Sequence, residues 1–213
     1  MGYRPENTLS SFQLAIEMGC RWVELDVYAV EGELVVIHDD TLQRTTNGTG
    51  NVMEKSLRYL RSLDAGDGQQ IPTLSEVIEL IAHRAVINIE LKGPGTALPV
   101  NHLLDTYCTQ GWSPGDFLVS SFKHEELARA QPTYRRGALF GKRGTHDYFG
   151  VAEALSAWSI NLDLSLVEQQ IIDDAHHRGL KVLVYTVNEP GDIERMRAMQ
   201  VDGIFTNYPD RAL

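Results

Sequence analysis

Three carboxylates and one lysine occupy positions from which extended chain would aim them at a common point. In Trp22-Val23-Glu24-Leu25-Asp26-Val27 the side chains of a strand alternate, so Trp22, Glu24 and Asp26 share one face and Val23, Leu25 and Val27 the other. The segment Ile87 to Lys92 repeats the arrangement, with Ile87, Ile89 and Leu91 on one face and Asn88, Glu90 and Lys92 on the other. If the two are strands of a barrel whose apolar faces meet helices, Glu24, Asp26, Glu90 and Lys92 point inward and converge near the C-terminal mouth. Charges placed there must be paired, protonated or bound to a metal, because uncompensated burial is prohibitively costly. A salt-bridge network around Lys92 is the plainest alternative, but one ammonium cannot neutralise three carboxylates, and this is the end of a barrel where chemistry is placed. An all-oxygen set suits a hard dication, Mg2+ or Ca2+; zinc would call for a nearby Cys or His cluster. His38 closes the run Val35-Val36-Ile37-His38-Asp39-Asp40. A lone histidine at a strand end is more often structural than catalytic, but its ordinary pKa suits proton transfer and it follows directly on the Glu24/Asp26 strand. His83, His102, His124, His146, His176 and His177 fall in helical or loop contexts, where exposed or capping roles are expected.

The elements that must position these groups alternate between apolar β-branched runs and segments of helical period, the pattern of βα units around a parallel sheet. Strands are expected near Trp22–Val27, Val86–Leu91, Phe117–Ser121, Arg136–Phe140, Ser159–Asp163, Lys181–Val187 and Gly203–Thr206. That is seven, one short of the eight that close a (β/α)8 barrel. Leu9, Phe12 and Ile16 mark a first helix that stops at Gly19. Thr73 with Glu76, and Ser165 with Glu168, read as capping boxes opening two more, the first carrying Leu74, Val77, Ile78 and Ile81, the second ending at Gly179. Asn188 is expected to cap a further helix bearing Ile193, Met196 and Met199. The stretch from about 29 to 72 breaks the rhythm: a hairpin turning at Glu31-Gly32 and returning through Leu34–Ile37, then a polar run, then a short amphipathic piece around Leu57–Leu63. Asn47-Gly48 is a common tight-turn dipeptide, and the lysine of a phosphate-cradling glycine loop is absent.

The chain has 213 residues, 43% hydrophobic and 23% charged, which is enough for one sizeable core, and one domain over 1–213 is expected. A formal charge of −10 with no basic stripe argues against nucleic acid as a partner. It also means that a small phosphate ester would need local cations, which again points to a bound metal. No apolar run approaches the roughly 20 residues of a membrane span. The start of the chain lacks the basic, apolar and small-residue succession of a secretory signal. Cys20 and Cys108 are too far apart in the sequence to read as a disulfide framework or a zinc pattern, so a reducing, cytoplasmic setting is expected.

The ordered strings Pro5-Glu6-Asn7-Thr8, Glu24-Leu25-Asp26-Val27, His38-Asp39, Arg44-Thr45-Thr46-Asn47-Gly48, Ile71-Pro72-Thr73-Leu74, Glu90-Leu91-Lys92 and Asp202-Gly203-Ile204 cover nearly the whole chain. In order and spacing they resemble the glycerophosphodiester phosphodiesterases, metal-dependent α/β enzymes of the TIM-barrel class that cleave glycerophosphodiesters. The resemblance implies Glu24, Asp26 and Glu90 as ligands of one divalent cation, His38 as one of two catalytic histidines, and Lys92 as a ligand of the substrate phosphate. The family's characteristic insertion corresponds to the irregular stretch after Ala29. Two departures stand out. Tyr185 stands where family members usually carry a tryptophan on the seventh strand beside the substrate. The family also opens with a strand ending in His-Arg-Gly, whereas this sequence opens at Met1-Gly2-Tyr3, and it stops soon after Pro209. The expectation is therefore a barrel lacking its first strand and with a short last helix. Without that His-Arg pair, a catalytically silent, phosphodiester-binding or partner-binding relative is the alternative to an active enzyme.

Overall fold

Residues 2–213 are described by a computed structural model of the chain. The strands are β1 (Trp22–Val30), β2 (Glu33–Val36), β3 (Val86–Leu91), β4 (Phe117–Ser121), β5 (Arg135–Phe140), β6 (Ser159–Asp163), β7 (Lys181–Tyr185) and β8 (Gly203–Ile204). They form one curled sheet in the order β2-β1-β3-β4-β5-β6-β7-β8. From β1 through β3 to β8 every neighbour is parallel, while β2 folds back antiparallel on the end of β1, pairing Val27 to Val30 with Val36 to Glu33. Among the described residues, the first half of β1 has a ladder on the β3 side alone, and β8 pairs with β7 alone. The parallel strands among the described residues thus number seven, curled as in a TIM barrel, with no eighth to close it. After β8 the chain forms one short 3-10 turn, Pro209–Arg211.

Among the described residues eight α-helices precede or separate the strands: α1 (Leu9–Glu17), α2 (Leu57–Leu60), α3 (Leu74–Ile81), α4 (Ala97–Thr109), α5 (His124–Leu127), α6 (Tyr148–Ala154), α7 (Gln169–His177) and α8 (Pro190–Ala198). The outward faces of the strands pack on them. Val23, Leu25, Val27, Ile87, Ile89 and Leu91 join Leu74, Val77, Ile78 and Ile81 of α3 in the main core. The irregular stretch after β1 holds a smaller core of its own, in which Tyr28, Val30, Val35, Ile37, Leu42, Val52, Leu60 and Ile71 are buried together. This second core matters for function, since it fixes the hairpin and the following loop over the barrel mouth.

Local signals hold at several helix ends. Thr73 accepts from the Glu76 amide while the Glu76 carboxylate accepts from the Thr73 amide, the expected capping box. Gly19 and Gly179, at φ of +94° and +75°, supply the left-handed residue beyond α1 and α7. Two expectations are corrected. Ser165 and Glu168 form no box: Ser165 lies in a 3-10 turn (Leu164–Leu166) whose capping oxygen is Asp163, and α7 starts at Gln169 with no side-chain cap. Asn188 does not cap α8, which opens at Glu189-Pro190. Its side-chain oxygen instead accepts from the Asn207 amide, tying β7's exit to the end of the chain. Both sequence patterns assume a helix beginning at once, whereas the Ser165 hydroxyl donates to the Asp163 carboxylate and Asn188 is taken up by the distant Asn207 amide.

Candidate active site

Strand register assembles the cluster. In the β1/β3 pairing Glu24 lies opposite Asn88 and Asp26 opposite Glu90, so neighbouring strands present their carboxylates side by side. The Lys92 amide extends the ladder by donating to the Val27 carbonyl at 3.1 Å, which carries its ammonium to the same level. One carboxylate oxygen each from Glu24, Asp26 and Glu90 lie within 4.8 Å of one another. Lys92 Nζ stands 3.0 Å from Glu90 Oε1 and 3.4 Å from Asp26 Oδ1. Asp26 also accepts from Asn7 Nδ2 at 2.9 Å.

Electrostatically the cluster is short of positive charge. Burial pushes the Glu24 carboxyl well above the usual carboxylate range, and the neighbouring Asp26 and Glu90 push it further, with Lys92 only partly opposing them. Burial, then the Asp26 charge, raises Glu90 as well. Burial alone would lower Lys92, but Asp26 and Glu90 more than offset it and hold the ammonium firmly protonated. A divalent cation would supply the charge that Lys92 cannot, and three hard oxygens at this spacing fit Mg2+ or Ca2+. The donor set therefore fits the group that the sequence implies.

The cluster lines a cavity of about 650 Å³ that runs through the barrel interior. His38, Glu90, Lys92 and Phe122 are shared with an adjoining cavity of about 490 Å³ over the mouth, walled by Tyr28, Asn51 and Met53. His38 follows β2 directly, and its side chain is half exposed. Its Nδ1 donates to Asp39 Oδ1 at 2.6 Å. Tyr185 ends β7 on the opposite wall, edge-on to Phe122 with ring centres 5.7 Å apart. Its hydroxyl donates to the Phe140 carbonyl at 2.7 Å, so the tyrosine offers the cavity its ring while the hydroxyl is already engaged.

Comparison with known proteins decides the family. The chain matches the Glycerophosphoryl diester phosphodiesterase family over residues 1–211. It belongs to that family. The glycerophosphodiester phosphodiesterase of Caldanaerobacter subterraneus subsp. tengcongensis is 33% identical over 97% of this chain and 90% of its own length. The enzyme of the same name from Bacillus altitudinis is 32% identical over 100% of this chain and 93% of its own. Among solved structures, an Oleispira antarctica phosphodiesterase in complex with its product sn-glycerol-3-phosphate superposes with a TM-score of 0.89 at 31% identity, covering 99% of this chain and 91% of that one. A glycerophosphodiester phosphodiesterase from Agrobacterium tumefaciens gives 0.82 at 29% identity, covering 99% of this chain and 94% of that one.

All six residues singled out from the sequence, Glu24, Asp26, His38, Glu90, Lys92 and Tyr185, line this one phosphodiesterase-type cavity system. Four others emerge only in three dimensions: Asn7 on Asp26, and Glu6, Arg44 and Asp39 in a chain of charges ending at His38. The signal available in the sequence was their place in strings that carry the family resemblance, Pro5-Glu6-Asn7-Thr8, His38-Asp39 and Arg44-Thr45-Thr46-Asn47-Gly48, without a role for each residue. The remaining histidines lie elsewhere. His83 stacks on Trp112 at 4.0 Å and His176 pairs with Asp202, while His124, half-buried, donates from Nε2 to the Leu139 carbonyl. His124 is thus a structural tie between α5 and β5 and not an exposed residue. Asn47 and Asp64 exchange hydrogen bonds through Asn47 Oδ1 and the two amides, which makes Asn47-Gly48 a loop clasp and no phosphate cradle.

Proposed function

We propose that this chain hydrolyses glycerophosphodiesters to glycerol 3-phosphate and an alcohol, with one Mg2+ or Ca2+ held by Glu24, Asp26 and Glu90. The observation that carries the reading is the meeting of three carboxylates, one lysine and one histidine at the mouth of a single cavity. The cation, when bound, offsets negative charge developing on the phosphoryl oxygens. Lys92 adds a second, fixed positive charge there. Because Asp26 and Glu90 hold its ammonium in place, little reorganisation is needed as the reaction proceeds. His38 Nε2, free while Nδ1 is engaged by Asp39, takes the proton of the attacking water and returns it to the departing alkoxide; where the neighbouring glycerol hydroxyl attacks instead, the cyclic phosphate so formed is opened by water in a second step. The Tyr185 ring, braced on Phe122, walls the substrate.

The relative whose solved structure holds sn-glycerol-3-phosphate supports the substrate class. A second reading, phosphodiester binding without turnover, is favoured by His38 being the single histidine among the described residues that lines the cavity. Incubation with glycerophosphocholine and an enzymatic assay for glycerol 3-phosphate separates the two. Turnover that falls in His38→Ala with little change in KM supports hydrolysis with His38 as proton carrier. Saturable binding with no product from the parent chain would establish the silent reading instead.

A further inference from the structure

His38 is the end of a four-residue chain of charge-assisted hydrogen bonds. Its Nδ1 meets Asp39 Oδ1 at 2.6 Å. The same carboxylate is gripped by Arg44, whose Nε donates to Asp39 Oδ2 at 2.6 Å and whose Nη2 donates to Asp39 Oδ1 at 2.8 Å. Arg44 is in turn held by Glu6, with Nη1 to Oε2 at 2.8 Å and Nη2 to Oε1 at 2.7 Å. Both pairs are two-point contacts of a planar guanidinium with a carboxylate, which fixes direction as well as distance. The network joins three separate pieces of chain: the segment before α1, the end of the hairpin, and the loop after it. That loop is itself pinned, since Leu42 is fully buried in the smaller core and its carbonyl accepts from the Thr46 amide and hydroxyl.

Such a chain does more than hold a loop down. An ionised carboxylate only accepts, so in the neutral ring a 2.6 Å contact with Nδ1 places the proton on that nitrogen and leaves Nε2 with its lone pair. With hydrogen bonds from Arg44, Asp39 stays ionised well below the usual carboxylate range despite partial burial. Glu6, with only 15% of its side chain exposed, takes the other edge of the Arg44 guanidinium. Asn7, the next residue, donates to Asp26. One short segment thus orients both the histidine and the carboxylate cluster.

We propose that Glu6, Arg44 and Asp39 are positioning residues that fix His38 in the Nδ1-protonated tautomer with Nε2 turned to the reacting group. The proposal rests on the reading above, in which His38 moves protons, and the test is built to separate the two. The probe is protein labelled with 15N at histidine, the His38 signals being identified by their loss in His38→Gln. The ring nitrogen shifts report the tautomer directly. In the parent chain the Nδ1-protonated form should predominate. In Asp39→Asn one of the two side-chain atoms becomes a donor facing either Arg44 or Nδ1, so the tautomer ratio should move towards Nε2-protonated. Glu6→Gln, which loosens Arg44, should move it in the same direction by less. Turnover of glycerophosphocholine should follow: kcat down by about 100-fold or more in Asp39→Asn, within the range a poised acid–base group is worth, with KM changed less than threefold. Thermal unfolding identifies any variant that has simply failed to fold, and Asp39→Ala, which introduces no new donor, then serves in its place. A tautomer ratio unmoved by all these substitutions would overturn the proposal. A ratio that moves while kcat does not would leave the positioning chain standing and remove His38 from the chemistry.

Discussion

Replacing Glu90 by glutamine distinguishes a metal site from a buried salt-bridge network, because the two assign opposite worth to that carboxylate. Glu90 faces Lys92 at 3.0 Å, an attraction of about 5 kcal/mol at an effective dielectric constant near 20. It also faces Glu24 and Asp26, with ligand oxygens no more than 4.8 Å apart, each contributing a repulsion of about 3 kcal/mol or more on the same scale. The two repulsions together match or exceed the attraction, and burial adds a further cost to the charged form. Glu90→Gln keeps the shape and removes the charge, so the metal-free protein should unfold at the same temperature or higher. With metal the ordering inverts. A dication at about 100 times its Kd stabilises the parent by about 2.7 kcal/mol. For a chain of 213 residues that raises Tm by roughly 5–10 °C, and Glu90→Gln should lose most of the increment. The assay is thermal unfolding of both proteins after chelation and again with saturating Mg2+ or Ca2+. A metal-free Glu90→Gln protein several degrees less stable than the parent, with an equal metal increment in both, would show that Glu90 serves Lys92 and not a metal.

Three further outcomes follow from the same geometry. With Lys92 in its proposed role as phosphate ligand, Lys92→Met should raise KM for glycerophosphocholine as well as lower kcat; a steady-state series in which KM is unchanged would contradict the assignment. In metal-free protein burial and the neighbouring carboxylates raise Glu24 and Glu90, so the folded state binds their protons first and stability rises as pH falls through their raised values towards the ordinary glutamate value of about 4.3. Asp39, Glu76 and Asp202 are depressed, so their contribution is present above about pH 4 and lost only as pH drops further towards their folded values. Tm measured against pH should therefore climb and then fall on acidification, and a saturating dication should flatten the climb. Thr73→Ala removes one half of the α3 capping box at a cost of about 1 kcal/mol, read as a Tm lower by roughly 2–4 °C with metal affinity unchanged.

The parts of the fold legible from the sequence are those with a repeating physical cause. Alternation in β1 and β3 sorted Glu24, Asp26, Glu90 and Lys92 from their apolar neighbours because period 2 is imposed by the backbone itself. The α3 capping box was legible because both partners lie within one turn. The failures at Ser165 and Asn188 come from partners outside the helix pattern: the Ser165 hydroxyl donates to the Asp163 carboxylate, and the Asn188 side-chain oxygen accepts from Asn207, 19 positions away. The Glu6–Arg44–Asp39–His38 chain was illegible for a different reason. Its members are separated by up to 38 positions, and no local period links them. Tyr185 lines the cavity, but the use of its hydroxyl on the Phe140 carbonyl depends on how β7 lies against β5 and not on either segment alone.

The central claim, that the carboxylate cluster is the metal centre of a glycerophosphodiester hydrolase, is met most directly by one measurement. Glycerol 3-phosphate released from glycerophosphocholine is followed in chelated protein, in protein resupplied with Mg2+ or Ca2+, and in Glu90→Gln under both conditions. The account predicts release by the parent that vanishes on chelation and returns with metal, and a loss in Glu90→Gln that excess metal restores only in part. Release at the same rate in chelated and metal-supplied parent protein would contradict it.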